Sequence, residues 1–144
     1  MDIKDIVNFL IKKHKTSNPF FIAKELHITI LFEDLGNIMG YHNYDSRFHF
    51  IHINQTLSEG ERIFTCAHEL GHVILHQKVN TSFLKRNTFC SVDRIEREAN
   101  TFAVEMLIPD PLLKDYIGYP INTIAKLTGV PQELVGLKTK FHQI

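Results

Sequence analysis

Apolar side chains recur at helical spacing near the start of the chain. Ile3, Ile6, Val7, Leu10 and Ile11 share one stripe, so the spacing predicts a helix over residues 2–14. Ser17-Asn18-Pro19 interrupts it, and Phe20 to Leu26 reads as a short second helix. From Ile28 to about Ile53 the period changes. Ile28, Ile30 and Phe32 alternate with Thr29 and Leu31, and Phe48, Phe50, Ile51 and Ile53 form an apolar run rich in strand formers. Gly36-Asn37 and Asn43-Tyr44-Asp45 mark the turns. Three short strands follow, expected as a mainly antiparallel meander because each connection is too short for a crossover.

The pattern then returns to helices. Ser58 and Glu61 have the spacing of a capping box, and the apolar positions Ile63, Phe64, Ala67, Ile74 and Leu75 carry the helix to about Gln77. Residues 78–90 are polar and read as a loop. A second long helix is expected from about Ser91 to Ile108, stopped by Pro109 and Pro111. Short helices are expected near 111–116, 121–128 and 131–141. With no repeat, low-complexity tract or linker, residues 1–144 are read as one α+β domain. In this reading a three-stranded sheet packs on the first long helix and the C-terminal part is helical.

Composition narrows the function classes. The 144 residues are 44% hydrophobic and 22% charged, the balance of a globular chain. The formal net charge is zero, so no global field draws the protein to nucleic acid or an anionic membrane. No run approaches the ~20 apolar residues of a membrane helix. Met1 to Asp5 carries mixed charge without the apolar core of a signal peptide, and a cytoplasmic location is expected. Of the two cysteines, Cys66 reads as a small core residue and Cys90 as a loop residue near a helix start.

The candidate chemistry lies in the first long helix. Residues 66–76 read Cys-Ala-His-Glu-Leu-Gly-His-Val-Ile-Leu-His, and His68-Glu69-x-x-His72 within them is an H-E-x-x-H motif. Residues four apart on an α-helix are offset by only ~40° around the axis and ~6 Å along it. His68 and His72 can therefore converge on one ion. Glu69, rotated by ~100°, is poorly placed to ligate but can reach a water at the ion, the position of a general base.

A catalytic zinc needs a third protein ligand and an open position. Glu96 shares a stripe with Ala99, Asn100, Ala103 and Leu107, the small and apolar side of the second long helix; Glu98 shares one with Thr101 and Glu105, read as the wet side. Glu96 is therefore the candidate ligand. Asn100, one turn on, is a candidate to support a ligand histidine from behind. His76 stands ~12 Å along the axis from His68, too far for all three imidazoles to share an ion. It is expected to stabilise the helix end, line the cleft or support the ligands. His42, His49 and His52 read as sheet residues, one of which could polarise a substrate carbonyl. Gly71, costly in mid-helix, implies a close neighbour.

These residues resemble the ImmA/IrrE family of metallopeptidases. The resemblance is carried by His68-Glu69-Leu70-Gly71-His72-Val73-Ile74-Leu75-His76, by Ile95 to Ala103 with its Glu96-x-x-x-Asn100, and by Met106-Leu107-Ile108-Pro109. Ile22-Ala23-Lys24-Glu25-Leu26 and Ile51-His52-Ile53-Asn54 fit the family's N-terminal half, and the likeness covers roughly residues 18–110. It implies a gluzincin-like fold and one Zn2+ held by His68, His72 and Glu96. It further implies an endopeptidase that cleaves a helix-turn-helix repressor in a phage, mobile-element or bacterial setting.

The chemistry expected is peptide hydrolysis, with Glu69 as base and the strand around residues 47–54 pairing with an extended substrate. The alternative is a metal-containing module that binds a protein or DNA without cleavage. Ala125 to Val135 has helix-turn-helix spacing, and Lys138 and Lys140 follow. Neutral net charge argues against nucleic acid as a partner.

Overall fold

The computed structural model describes residues 2–77 and 89–138, of which residues 89–92 are described by backbone alone. Helices α1 (Ile3–His14) and α2 (Pro19–Glu25) come first. Asp2 caps the former through the Asp5 amide, and Asn18 caps the latter through the Phe20 and Phe21 amides. Three strands follow: β1 (Thr29–Glu33), β2 (Gly40–Asp45) and β3 (Phe48–Asn54). Then come the long helices α3 (Glu59–Leu75) and α4 (Phe89–Leu107). A 3-10 helix (Asp110–Tyr116), α5 (Ile121–Thr128) and a second 3-10 helix (Gln132–Leu137) complete the described chain.

The α+β class and the three-stranded sheet on the motif helix agree with the reading of the sequence. The strand order does not follow a meander. It is β1-β3-β2, with β3 antiparallel to β2 and parallel to β1. The parallel pair is reached because β2 and its flanking turns, taken together, form a crossover of the dozen or so residues such a pair needs. Weighing each connection separately conceals this. β3, the most buried of the three strands, takes the centre: Ile51 and Ile53 are fully buried on the face towards α3. The β2–β3 hairpin closes through Ser46 and Arg47, both at positive φ (52° and 73°), the backbone of a two-residue turn that matches strand twist.

Helix α3 starts as expected. Ser58 Oγ accepts from the Glu61 amide at 3.2 Å and Glu61 Oε1 accepts from the Ser58 amide at 3.0 Å. Its apolar residues serve two clusters. Cys66, Leu70 and Val73 pack with α1, α2, the sheet and Phe102 and Met106 of α4. Phe64 and Ala67 pack with Ala103, Val104 and Leu107 of α4 and with the C-terminal helices. Gly71 explains the closeness of the two long helices: a Cβ there would stand 3.0 Å from Cβ, Cγ and Cδ1 of the fully buried Phe102.

Two expectations on α4 are corrected. It begins at Phe89, so the backbone of Cys90 belongs to its first turn and not to a loop; the rest of the loop expected over 78–90 lies outside the described residues. Glu105, assigned to the wet stripe, is buried and paired with Lys138 Nζ at 2.9 and 3.1 Å. Lys138 Nζ also meets Asp110 Oδ1 at 2.7 Å. The cation that would have touched a phosphate backbone is thus enclosed within the protein, and the segment after α5 continues as a 3-10 helix. Lys140 lies outside the described residues. Cys66 is free and fully buried, and burial together with the nearby Glu69 carboxylate pushes its thiol pKa far up. Among the described residues, no helix is long and apolar enough to cross a membrane.

Candidate metal centre

The i, i+4 spacing on α3 brings the two imidazoles of the motif together, with His68 Nε2 3.2 Å from His72 Nε2. Helix α4 crosses this face and supplies Glu96. One of its oxygens lies 3.0 Å from His68 Nε2 and the other 3.1 Å from His72 Nε2. His68, Glu69 and His72 also present ligand atoms within 4.8 Å of one another, but Glu96 makes the shorter approach to both rings. Glu69 Oε2 stays 4.0 Å from His68 Nε2.

The two imidazole Nε2 atoms lie 3.2 Å apart, and each has a different Glu96 oxygen at 3.0 or 3.1 Å, spacings close to the edge of a tetrahedron around zinc. Bonds of ~2.0–2.1 Å at the tetrahedral angle give edges of about 3.3 Å. The donor set, two imidazoles and a carboxylate, suits the same ion. Hydrogen bonds from His68 and His72 hold the Glu96 carboxyl far below the usual range. Burial disfavours a charged His68, yet the hydrogen bond to Glu96 and the Glu69 and Glu96 charges outweigh it and raise its pKa. Asn100 adds a weaker interaction with the same ring. Among the described residues, His68 Nδ1 is buried without a hydrogen-bond partner.

Glu69 is 7% exposed and is oriented from β2. His42 Nδ1 donates to Glu69 Oε1 at 2.8 Å, while the His42 ring stacks on that of His72, with centroids 5.1 Å apart. Sequence reasoning left His42 among ordinary sheet residues. Its signal was the alternation of β2, which puts Gly40 and His42 on the face towards α3. His52 points to the opposite face, where it binds Glu33 and Asn43 and stacks on Tyr41. His49 sits beside Tyr44, its pKa lowered by burial and by His42.

His76 is drawn in as well, though not towards the shared donors. Its Nδ1 lies 3.3 Å from His72 Nδ1 and its Nε2 lies 3.0 Å from Glu98 Oε1. Burial, first among the causes, keeps its pKa below the ordinary histidine value despite Glu98. Glu98 is therefore not a merely solvated side chain.

A cleft of about 290 Å³ opens over these groups, lined by Met39, Gly40, Phe64, Thr65, His68, Glu69, Glu96 and Asn100. The strand bordering it is β2. β3, expected to pair with a substrate, has neighbours on both sides and offers no free edge. The edge next to the cleft belongs to β2, seated by Gly40, where a Cβ would meet His52 O and Thr65 Cγ2 at 2.6 Å.

The family model of the IrrE N-terminal-like domain, peptidase family M78, matches residues 23–140. The chain belongs to this family. The IrrE-like chain is 48% identical over 139 residues to the uncharacterized immunity region protein 2 of Bacillus phage phi105, covering 94% of this chain and 88% of that protein. It is 35% identical over 142 residues to the metallopeptidase ImmA of Bacillus subtilis strain 168, covering 94% and 83%. A solved structure of a Mycobacterium tuberculosis transcriptional regulator shares the fold with a TM-score of 0.65 at 16% identity. The IrrE-like chain is matched over 94% of its length and spans 45% of that regulator.

Proposed function

We propose that this IrrE-like chain is a cytoplasmic zinc-dependent endopeptidase that cleaves a helix-turn-helix repressor. The observation that carries the reading is the Glu96 carboxylate set against both motif imidazoles, with a separately held Glu69 alongside. A bound Zn2+ on His68, His72 and Glu96 would supply Lewis acidity to a water and to the scissile carbonyl. Glu69 takes the proton of the attacking water and passes it to the leaving amine. His42 holds Glu69 Oε1, which leaves Oε2 for that proton. The edge of β2 pairs with the substrate backbone, the placing that strand addition provides. The 35% identity to a protein named metallopeptidase ImmA supports the reaction class, and the 48% identity to a phage immunity region protein supports a regulator as substrate.

The test is incubation of the purified protein with the helix-turn-helix repressor encoded beside its gene, with and without a chelator, followed by intact-mass spectrometry. Two fragments summing to the repressor plus one water are expected, and only without chelator. A repressor that stays whole while zinc is bound would turn the reading towards a metal-containing binding module.

A further inference from the structure

We infer that two copies of this chain pair edge to edge along β1, across a two-fold axis that passes through Leu31. The inference depends on neither the metal nor peptide hydrolysis. A sheet of order β1-β3-β2 has two outer edges. The β2 edge borders the cleft. The β1 edge lies on the other side of the sheet, and among the described residues β1 pairs with β3 alone.

The backbone of β1 shows which groups are left for a partner. Glu33 O accepts from the Gln55 amide at 2.8 Å, a bond that continues the parallel ladder with β3. Backbone groups alternate in direction along a strand. Thr29, Leu31 and Glu33 therefore face β3, while Ile30 and Phe32 turn their N–H and C=O groups outward. Edge strands are commonly guarded by lysine, proline, a bulge or a covering element. β1 reads Thr-Ile-Leu-Phe-Glu, with neither lysine nor proline, and its register with β3 runs from Thr29 to Glu33 without a bulge. Ile30 is half-buried and the other residues of the strand are exposed, Leu31 by 39% and Phe32 by 46%.

This strand fits a copy of itself. In an antiparallel pair centred on Leu31, Ile30 of one copy and Phe32 of the other exchange both backbone bonds, and the symmetric pair does the same. On the helix side the β-branched Ile30 then meets an aromatic ring, a favourable cross-strand combination. Phe32 is already seated there by its own chain, with the Phe20 ring centroid at 6.2 Å and the Arg62 guanidinium 5.4 Å from its own centroid. On the outer face Leu31 meets Leu31. Glu33, the one charged residue of β1, falls opposite Thr29 and is held by His52 of its own chain, so no like charges meet. The formal net charge of zero removes the general repulsion between copies. Self-pairing through β2 would cover the cleft, whereas the β1 seam leaves both clefts open at the far ends of a doubled sheet. Stable interfaces use roughly 20–30 residues a side. A seam of five residues and their flanks therefore makes a reversible, concentration-dependent dimer.

Sedimentation velocity of the full chain should show the 16.7 kDa monomer when dilute and twice that mass when concentrated. Leu31→Lys and Leu31→Glu each set like charges on the axis and should stay monomeric, while an equimolar mixture of the two regains the dimer. Leu31 is exposed, so both variants should fold. Amide hydrogen exchange of the wild type needs no substitution: Ile30 and Phe32 should slow as concentration rises, and His42 and Tyr44 of the β2 edge should not. Wild-type protein that is monomeric at every concentration overturns the inference. So does a dimer that either variant retains, a mixture of the two that stays monomeric, or a dimer with unchanged exchange at Ile30 and Phe32. Slowing at those amides only after the repressor encoded beside the gene is added would give the edge to that protein, and overturns the pairing of copies as well. None of these readings requires zinc or cleavage.

Discussion

Glu69 has one oxygen held by His42 and the other turned towards the shared donors. Glu69→Gln is nearly isosteric and removes no ligand. Zinc content by elemental analysis should stay at the wild-type level, while repressor cleavage falls by about 10²–10⁴-fold, the usual contribution of a general base. Loss of zinc in that variant would make Glu69 a ligand and not a base. Gly71 permits a second test. An alanine gains about 1 kcal/mol in helix propensity, but its Cβ meets three atoms of the fully buried Phe102 at 3.0 Å. Overpacking costs of ~1–3 kcal/mol should prevail, so Gly71→Ala lowers the thermal midpoint. The residues of the motif were legible because their geometry is local, fixed by one turn of helix. The side of α4 on which Glu96 lies, facing the two imidazoles, was legible by periodicity on its own helix. His42 was not, because its contact spans 27 residues of chain and exists only through the pairing of β2 with β3.

Helix starts were the most readable elements, since a cap is a local exchange of hydrogen bonds. Asp2, Asn18 and Ser58 all accept from amides of the first turn. Ser58→Ala should cost about 1 kcal/mol in denaturant unfolding at neutral pH. Glu61 belongs to the same box, and its hydrogen bonds with the Ser58 backbone and side chain hold its carboxyl below the ordinary value. A lowered native pKa stabilises the fold above the unfolded-state value, and the contribution fades as the pH falls through the native one. The cost of Glu61→Ala should therefore be complete at neutral pH and shrink in acid, as thermal midpoints against pH would show. Strand order was harder to read, because it depends on which strand buries both flanks and not on any one connection. Glu105 was misplaced for a similar reason: its partner, Lys138, lies 33 residues away.

Across the whole molecule, the two apolar clusters meet at α3 and α4, and charged side chains join the ends. Lys4 of α1 reaches Asp110 at 3.3 Å, Asp110 meets Lys138, and Lys138 is enclosed against Glu105. Cutting Lys138 back to alanine strands a buried carboxylate, so Lys138→Ala should lose about 3–5 kcal/mol in urea unfolding. A folded protein of unchanged midpoint would show that water reaches Glu105. The β2–β3 hairpin carries a different consequence. Because its turn has two residues, it sets which side chains of β2 look inward. One extra residue between Ser46 and Arg47 that slid the strand by one place would turn His42 outward. The site would keep every candidate ligand and lose its hold on Glu69, so zinc content would stay intact while turnover fell. A tight bend at the opposite end of β2 from Gly40 is thus the ruler against which the machinery is aligned.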